Sequence, residues 1–334
     1  MLLSKRLPGA LLFVGAEGVG KKLFAIELAK SLNCKTPVDG VEACDVCSVC
    51  KRIDHSTFPW HKTVDENKER MIWSNHTDLG LVRPYNRVIR IDPMRQLDRE
   101  ANFRPFEGNA RVFIIEDADK MNKFSSSALL KTLEEPPSTS FLVLITSRPS
   151  SLLPTIRSRC QAIRFVPLGK SEIENYLLKQ DQKISEGDAH VRALASNGSL
   201  GRAVSINLSD YLEQRKAMLE IVDALTTSKD RTVLLRAAEE LCDAKRKDEY
   251  EPRLSLLESL LRDVWAASVG ASGDRVANDD LREHLFNVAR QVESHQVARW
   301  ISDIERLRRT LDVNINRKVA TDALFLSMTG EQSL

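Results

Sequence analysis

Residues 10–32 read ALLFVGAEGVGKKLFAIELAKSL. The run opens apolar throughout, passes through a glycine-rich turn and ends in apolar residues at helical spacing. A buried strand, a tight turn and a helix start therefore follow one another. That order aims backbone N–H groups and the positive end of a helix at one point, which suits phosphate oxygens. Gly15, Gly18, Gly20 and Lys21 fall within a G-x-x-x-x-G-K loop, with Lys21 placed to reach the outer phosphates. The next position departs from the pattern. A Ser or Thr hydroxyl there would hold magnesium, whereas the Lys22 ammonium has no acceptor to offer.

Outward from this stretch, RVFIIED (111–117) and FLVLIT (141–146) are two more strand candidates. Between them MNKFSSSALLKTLEEPP reads as a helix with Ala128, Leu129 and Leu133 on its apolar side, closed by Pro136 and Pro137. AIRFVPL (162–168) is a last short strand. Fully apolar strands alternating with helices predict a parallel sheet covered on both faces. After residue 168 the strand signals stop, and SEIENYLLKQ and DAHVRALASNGSLGRAVSIN read as helices with a glycine-bearing turn. From 208 onward the chain reads as helical. Leu254, Leu257, Leu261 and Val264 form one stripe, and Val297, Ile301, Ile304, Leu307 and Leu311 another. The stretch 269–279 reads as a flexible connection, while 61–90 shows no clean period and is not placed.

Composition narrows the classes. With 334 residues the chain is long enough for two or three domains. A net charge of +2 and 6% aromatic residues argue against a free-standing nucleic-acid binder, which needs a basic, aromatic-bearing surface. The apolar run near the N-terminus is broken by Gly15 and Glu17, is too short to span a bilayer and lacks a cleavage pattern. The reading is a cytoplasmic protein without a membrane partner. Six cysteines in that setting, four of them between 34 and 50, suggest a metal rather than disulfides.

Three further elements carry chemistry. An active loop-type ATPase ends a strand in Asp, which helps to hold magnesium, and then Glu, which polarises water. Here Glu116 and Asp117 stand in reverse order, moving each carboxylate by about 1.5 Å, a misplacement that can cost roughly 100-fold in rate. Cys34, Cys44, Cys47 and Cys50 suit tetrahedral zinc in a closed, structural site. An iron–sulfur cluster is the second reading, but the usual further cysteine with a following proline is absent, and uncoordinated thiols are the third. Cys160 and Cys242 stand alone and read as small buried residues. Arg159, in LLPTIRSRCQ, is either an ordinary surface arginine or a finger that reaches a neighbour's nucleotide.

Taken in order, these elements resemble the clamp-loader branch of the AAA+ family over nearly the whole chain. EDADKMNKFSSSALLKTLEEPPSTSFLVLITSRPSSLLPTIRSRCQ is similar to its signature helix, its sensor-1 strand, which ends at Thr146, and its S-R-C motif, matched by Ser158, Arg159 and Cys160. The four-cysteine insert also matches. NGSLGRA resembles the sensor-2 region, with Arg202 one place later than in motor subunits, and LLRDVW and LDVNINRKVATDALFL resemble the helical collar. The resemblance implies a RecA-like α/β domain over 1–167 with a zinc module at 34–50, a small helical lid over 168–207, and a collar over 208–334. It also implies motor and wrench-type loader subunits as partners, with the sliding clamp and primed DNA reached through the assembly. Nucleotide contacts would come from Gly15, Gly18, Gly20, Lys21, Glu116, Asp117, Thr146 and Arg202. Arg159 would complete the ATP site of the adjacent subunit.

Three departures qualify it. Lys22 and the Glu116–Asp117 order argue against hydrolysis while leaving ATP binding open. Relatives carry a longer segment before the loop, near the adenine, which implies an incomplete base pocket or a start upstream of Met1. The stretch 61–90 matches the family poorly. The expectation is a subunit with little turnover of its own; the alternative is a hydrolysing motor subunit of the same loader.

Overall fold

The computed structural model describes residues 7–54, 71–85, 87–181, 183–228, 230–243, 246, 249–270, 276–311 and 316–329. The chain divides into two compact units, one of Met1–Lys183 with Ser196–Val204 and one of Ile184–Ala195 with Ser205–Leu334.

The first unit is built on β1 (Ala10–Val14), β2 (Ile72–Trp73), β3 (Leu79–Val82), β4 (Arg111–Ile115), β5 (Ser140–Thr146) and β6 (Gln161–Arg164). They form one sheet in the order β2-β3-β4-β5-β1-β6. All neighbours are parallel except the short edge strand β2, which runs antiparallel to β3. Alternate residues of each central strand enter opposite cores. Leu12, Phe113, Ile115, Leu142 and Leu144 pack with Met94, Leu97, Leu129 and Leu133 on one face. Leu11, Phe13, Val112, Ile114, Val143 and Ile145 pack with Ala25, Ile26 and Leu28 on the other. This two-sided burial is why the interiors of β1, β4 and β5 are apolar on both faces, with polar residues only at strand ends. The covering helices are α1 (Lys21–Asn33) and α2 (Ser48–Ile53) on the second face and α3 (Ile91–Ala101), α4 (Lys123–Glu134) and α5 (Pro154–Arg157) on the first. The Asn122 side chain caps α4 by accepting from the Phe124 and Ser125 N–H groups.

The strands expected at 10–14, 111–117, 141–146 and 162–168 are all present; β1 keeps its bounds, β5 and β6 each begin one residue earlier, and Glu116 and Asp117 lie past β4 and Phe165 to Leu168 past β6. The unplaced stretch 61–90 supplies β2 and β3 in its second part; its residues 61–70 lie outside those described. α6 (Lys170–Gln180) and nearly all of α8 (Leu200–Ser205) belong to the first unit, while α7 (Glu186–Ala195) belongs to the second.

The second unit is all helical, with α7, α9 (Leu208–Asp223), α10 (Arg231–Leu241), α11 (Tyr250–Ser268), α12 (Arg282–Ala289), α13 (Ser294–Leu311) and α14 (Arg317–Thr329). The stripe Leu254, Leu257, Leu261 and Val264 is fully buried in its core, beside Val297, Trp300, Ile304 and Phe325. Ile301 is partly buried against it, and the Leu311 side chain lies outside the described residues. Trp300 donates its indole N–H to the Met328 carbonyl at 3.0 Å. In the connection 269–279, residues 271–275 lie outside the described set. Its end is tied down, because Asp263 accepts from the Ala277 and Asn278 N–H groups at 2.8 Å each. Among the described residues no helix is long and apolar enough to cross a membrane.

Candidate functional site

The glycine-rich loop leaves the C-terminal end of β1, beside the ends of β4 and β5, where open α/β sheets place their ligands. Gly15 donates to the Thr146 carbonyl at 3.3 Å, and a Cβ on it would lie 2.4 Å from the Phe165 carbonyl oxygen. Gly18 and Gly20 have φ of +77° and +94°, the left-handed region that glycine enters without strain. Gly20 then caps α1. Lys21 is 7% exposed and donates from Nζ to the Gly15 and Ala16 carbonyls at 2.6 and 2.5 Å. Burial pulls its pKa below the ordinary lysine value, against the opposing fields of Glu17, Asp117 and Asp119.

Lys22, in the place of the magnesium-holding hydroxyl, forms an ion pair with Glu116 at 2.7 Å between Nζ and Oε1. Asp117 adopts a left-handed backbone, φ +46°, and its carboxylate pairs with Lys120 at 2.8 Å. Thr146 donates to Asp119 at 2.5 Å and accepts from the Arg148 N–H at 2.9 Å. Ser199, just before α8, donates to the Gly18 carbonyl at 2.7 Å and accepts from the Arg202 N–H at 3.2 Å. A Cβ on Gly18 would fall 2.3 Å from Ser199 Oγ and 3.3 Å from Arg202 Cγ. The glycine loop, Lys21, Glu116, Asp117, Thr146 and Arg202 are thus assembled at one end of the sheet.

Cys34, Cys44, Cys47 and Cys50 gather between the end of α1 and α2, with their sulfurs within 4.8 Å of one another. Four sulfurs about 2.3 Å from a central tetrahedral ion fit such a cluster after small closure. The donor set suits a cation. Cys34 Sγ accepts from the Cys44 N–H and Cys44 Sγ from the Cys47 N–H, both at 3.4 Å, and Cys47 Sγ from the Cys50 N–H at 3.5 Å. The Thr36 hydroxyl, with the N–H groups of Cys47 and Val46, pulls the Cys44 thiol down to about 6. Burial pushes Cys50 up to about 12. The cluster could hold a metal ion. Burial also raises Cys160, to about 12, and Cys242. Both are partly rather than fully buried, packed against the edges of hydrophobic clusters.

Arg159 follows α5 and precedes β6. Its Nη2 meets Glu134 Oε1, the last residue of α4, at 2.7 Å, and its Nη1 donates to the Thr155 carbonyl at 3.0 Å. These partners lie on α4 and α5, not in the chain's own glycine loop.

A family model described as DNA polymerase III, delta subunit, matches residues 1–169, and one described as DNA polymerase III, delta subunit, C terminal, matches residues 209–328. DNA polymerase III subunit delta' of Bacillus subtilis is 31% identical over 97% of this chain and 91% of its own length. The chain belongs to the DNA polymerase III delta-prime family. Subunit delta' of Escherichia coli is 26% identical over 95% of the chain and 87% of its own length. Subunit tau of Bacillus subtilis, at 29% identity, spans 77% of this chain but 43% of its own length. The delta-prime likeness therefore runs through both units.

Reading this delta-prime chain as sequence missed Ser199, Asp119, Thr36 and Glu134. Glu134 left a signal. An acid at the end of a helix opposes the helix dipole, so it calls for a cationic partner. Ser199 left a weaker one, as a hydroxyl residue immediately before a helix. Asp119 and Thr36 act through tertiary contacts that no local pattern announces.

Proposed function

We propose that the chain is the delta-prime-type subunit of the bacterial DNA polymerase III clamp loader. It joins the gamma/tau and delta subunits and helps to place the sliding clamp on primed DNA in the cytoplasm. Its role is to supply Arg159 in trans to the ATP held by a neighbouring motor subunit, while its own loop hydrolyses little. The observation that carries this reading is an intact S-R-C arginine on a braced frame, beside a magnesium position filled by the Lys22 ammonium. An arginine finger of this kind contributes about 10³–10⁵ in rate.

The test is DNA-stimulated ATPase of the reconstituted loader. Arg159→Ala is expected to lower turnover at the dependent site by about 10³-fold or more, and unchanged turnover defeats the trans role. Brisk hydrolysis by the purified chain, abolished by Lys21→Ala, would instead make it a motor subunit. Within this reading Gly15, Gly18, Gly20, Lys21, Thr146 and Arg202 are the nucleotide contacts. The four cysteines hold a structural zinc ion, because four thiolates with no open position give a closed tetrahedral site. The α/β domain, a lid around 168–207 and the collar beyond 208 are proposed as the working parts.

A further inference from the structure

We propose that the Lys22–Glu116 pair stands in for a divalent cation, so that this site takes a nucleoside diphosphate or triphosphate in its metal-free form. The inference rests on the reading of Gly15–Lys22 as a phosphate loop and goes beyond it to the form of the ligand.

The chemistry of the residues carries it. A cation at this point would need an oxygen from the residue after Lys21 and a free carboxylate from the end of β4. Lys22 offers only N–H donors, and its ammonium lies 2.7 Å from Glu116 Oε1, with both side chains largely withdrawn from water. The neighbouring acids have partners of their own. Asp117 pairs with Lys120 at 2.8 Å, and Asp119 accepts from Thr146 at 2.5 Å. Glu17 sits on the loop but is exposed. A dication would have to strip Glu116 from Lys22 and then sit beside the stranded ammonium.

Meanwhile the site keeps the means to bind anions. Lys21 is more than nine-tenths buried and makes no ion pair with any described carboxylate; only backbone carbonyls receive its protons. A buried ammonium in that position is countered well by phosphate oxygens. The N-terminal N–H groups of α1 add to it, and Arg202 lies alongside Gly18. Lys22, at the sequence position of the magnesium-holding hydroxyl, would supply one positive charge without acting as a Lewis acid. Phosphate bound in this way is held but not activated for transfer. That agrees with a subunit that retains a phosphate loop yet turns over little.

The experiment titrates the full-length chain with N-methylanthraniloyl-ADP, once with excess magnesium chloride and once with EDTA. The expected result is dissociation constants that agree within about 2-fold, because no metal enters the binding step. Lys22→Ser restores the hydroxyl and frees Glu116, and is expected to make binding at least about 10-fold tighter with magnesium than with EDTA. Glu116→Gln, which breaks the pair without creating a metal ligand, is expected to stay indifferent to magnesium. Should Lys22→Ser fail to fold, the wild-type comparison and Glu116→Gln still decide. Wild-type binding that magnesium tightens about 10-fold or more overturns the proposal and leaves the loop reading standing. So does a folded Lys22→Ser that ignores magnesium. No binding in either buffer overturns both.

Discussion

His76 is fully buried, accepts the Asp78 N–H on Nδ1 at 3.2 Å and holds Nε2 3.7 Å from Glu107. Burial pulls its pKa below the ordinary 6.5, and the Glu107 and Asp78 charges only partly oppose that. The unfolded chain therefore binds this proton first as pH falls. Its contribution to stability is complete above pH 6.5 and is lost as pH drops from there through the folded pKa. His76→Asn keeps an acceptor for Asp78 without the titration. It is expected to flatten the pH dependence of the urea midpoint of the α/β unit below pH 6.5, and an unchanged slope would remove the assignment. The same scale shows where sequence reading stopped. Lys22 and Glu116 each registered as a lost function. Only the fold, which sets the start of α1 beside the end of β4, brings the two side chains into an ion pair. Likewise Arg159 was legible as a motif, while its brace at Glu134 depends on the end of α4 meeting the residue after α5.

Among the elements, the cysteine cluster is the one with the least core of its own. α2 contributes Val49 and Ile53 to the sheet's packing, and the rest of the insert is tied by its sulfurs, by Lys30 to Asp45 and by the Ser31 hydroxyl to the Val41 carbonyl. Burial works against the Lys30 charge, but Asp45 and Glu27 outweigh it and hold its pKa above the ordinary value. Cys44→Ser is expected to drop bound metal from about one ion per chain to near none by elemental analysis, and to make the insert protease-sensitive while the sheet stays folded. Retained stoichiometric metal would show that this thiolate is not a ligand. β1, β4 and β5 could be read directly, because burial on both faces makes their interiors a continuous apolar run, with the polar residues Arg111, Ser140 and Thr146 only at the ends of β4 and β5. β2 and β3 could not, since two and four residues are too few to establish a period. α3 also escaped, although Met94, Leu97 and Ala101 give it a buried edge at helical spacing.

Across the whole molecule the two units have separate hydrophobic cores, and each should answer to substitutions in its own. Leu257 is fully buried at the centre of the helical unit. Leu257→Ala is expected to destabilise that unit by about 2–5 kcal/mol, read from its urea midpoint, and a shift below about 1 kcal/mol would mean that the core collapses around the lost volume. The broad division into an α/β part and a helical part was visible where strand patterns end. The allocation of α7 was not: its sequence buries only Ala189 and Ala193, and its packing on α9 is a tertiary fact. The backbone passes from one unit to the other at 183–184, returns at 195–196 and leaves again at 204–205. A fragment begun at Ser205 would strip α9 of a packed neighbour and bare apolar surface to aggregation. Anyone excising the helical half should start at Ile184 and carry residues 196–204 as a passenger, a boundary that a linear map of the gene would never suggest.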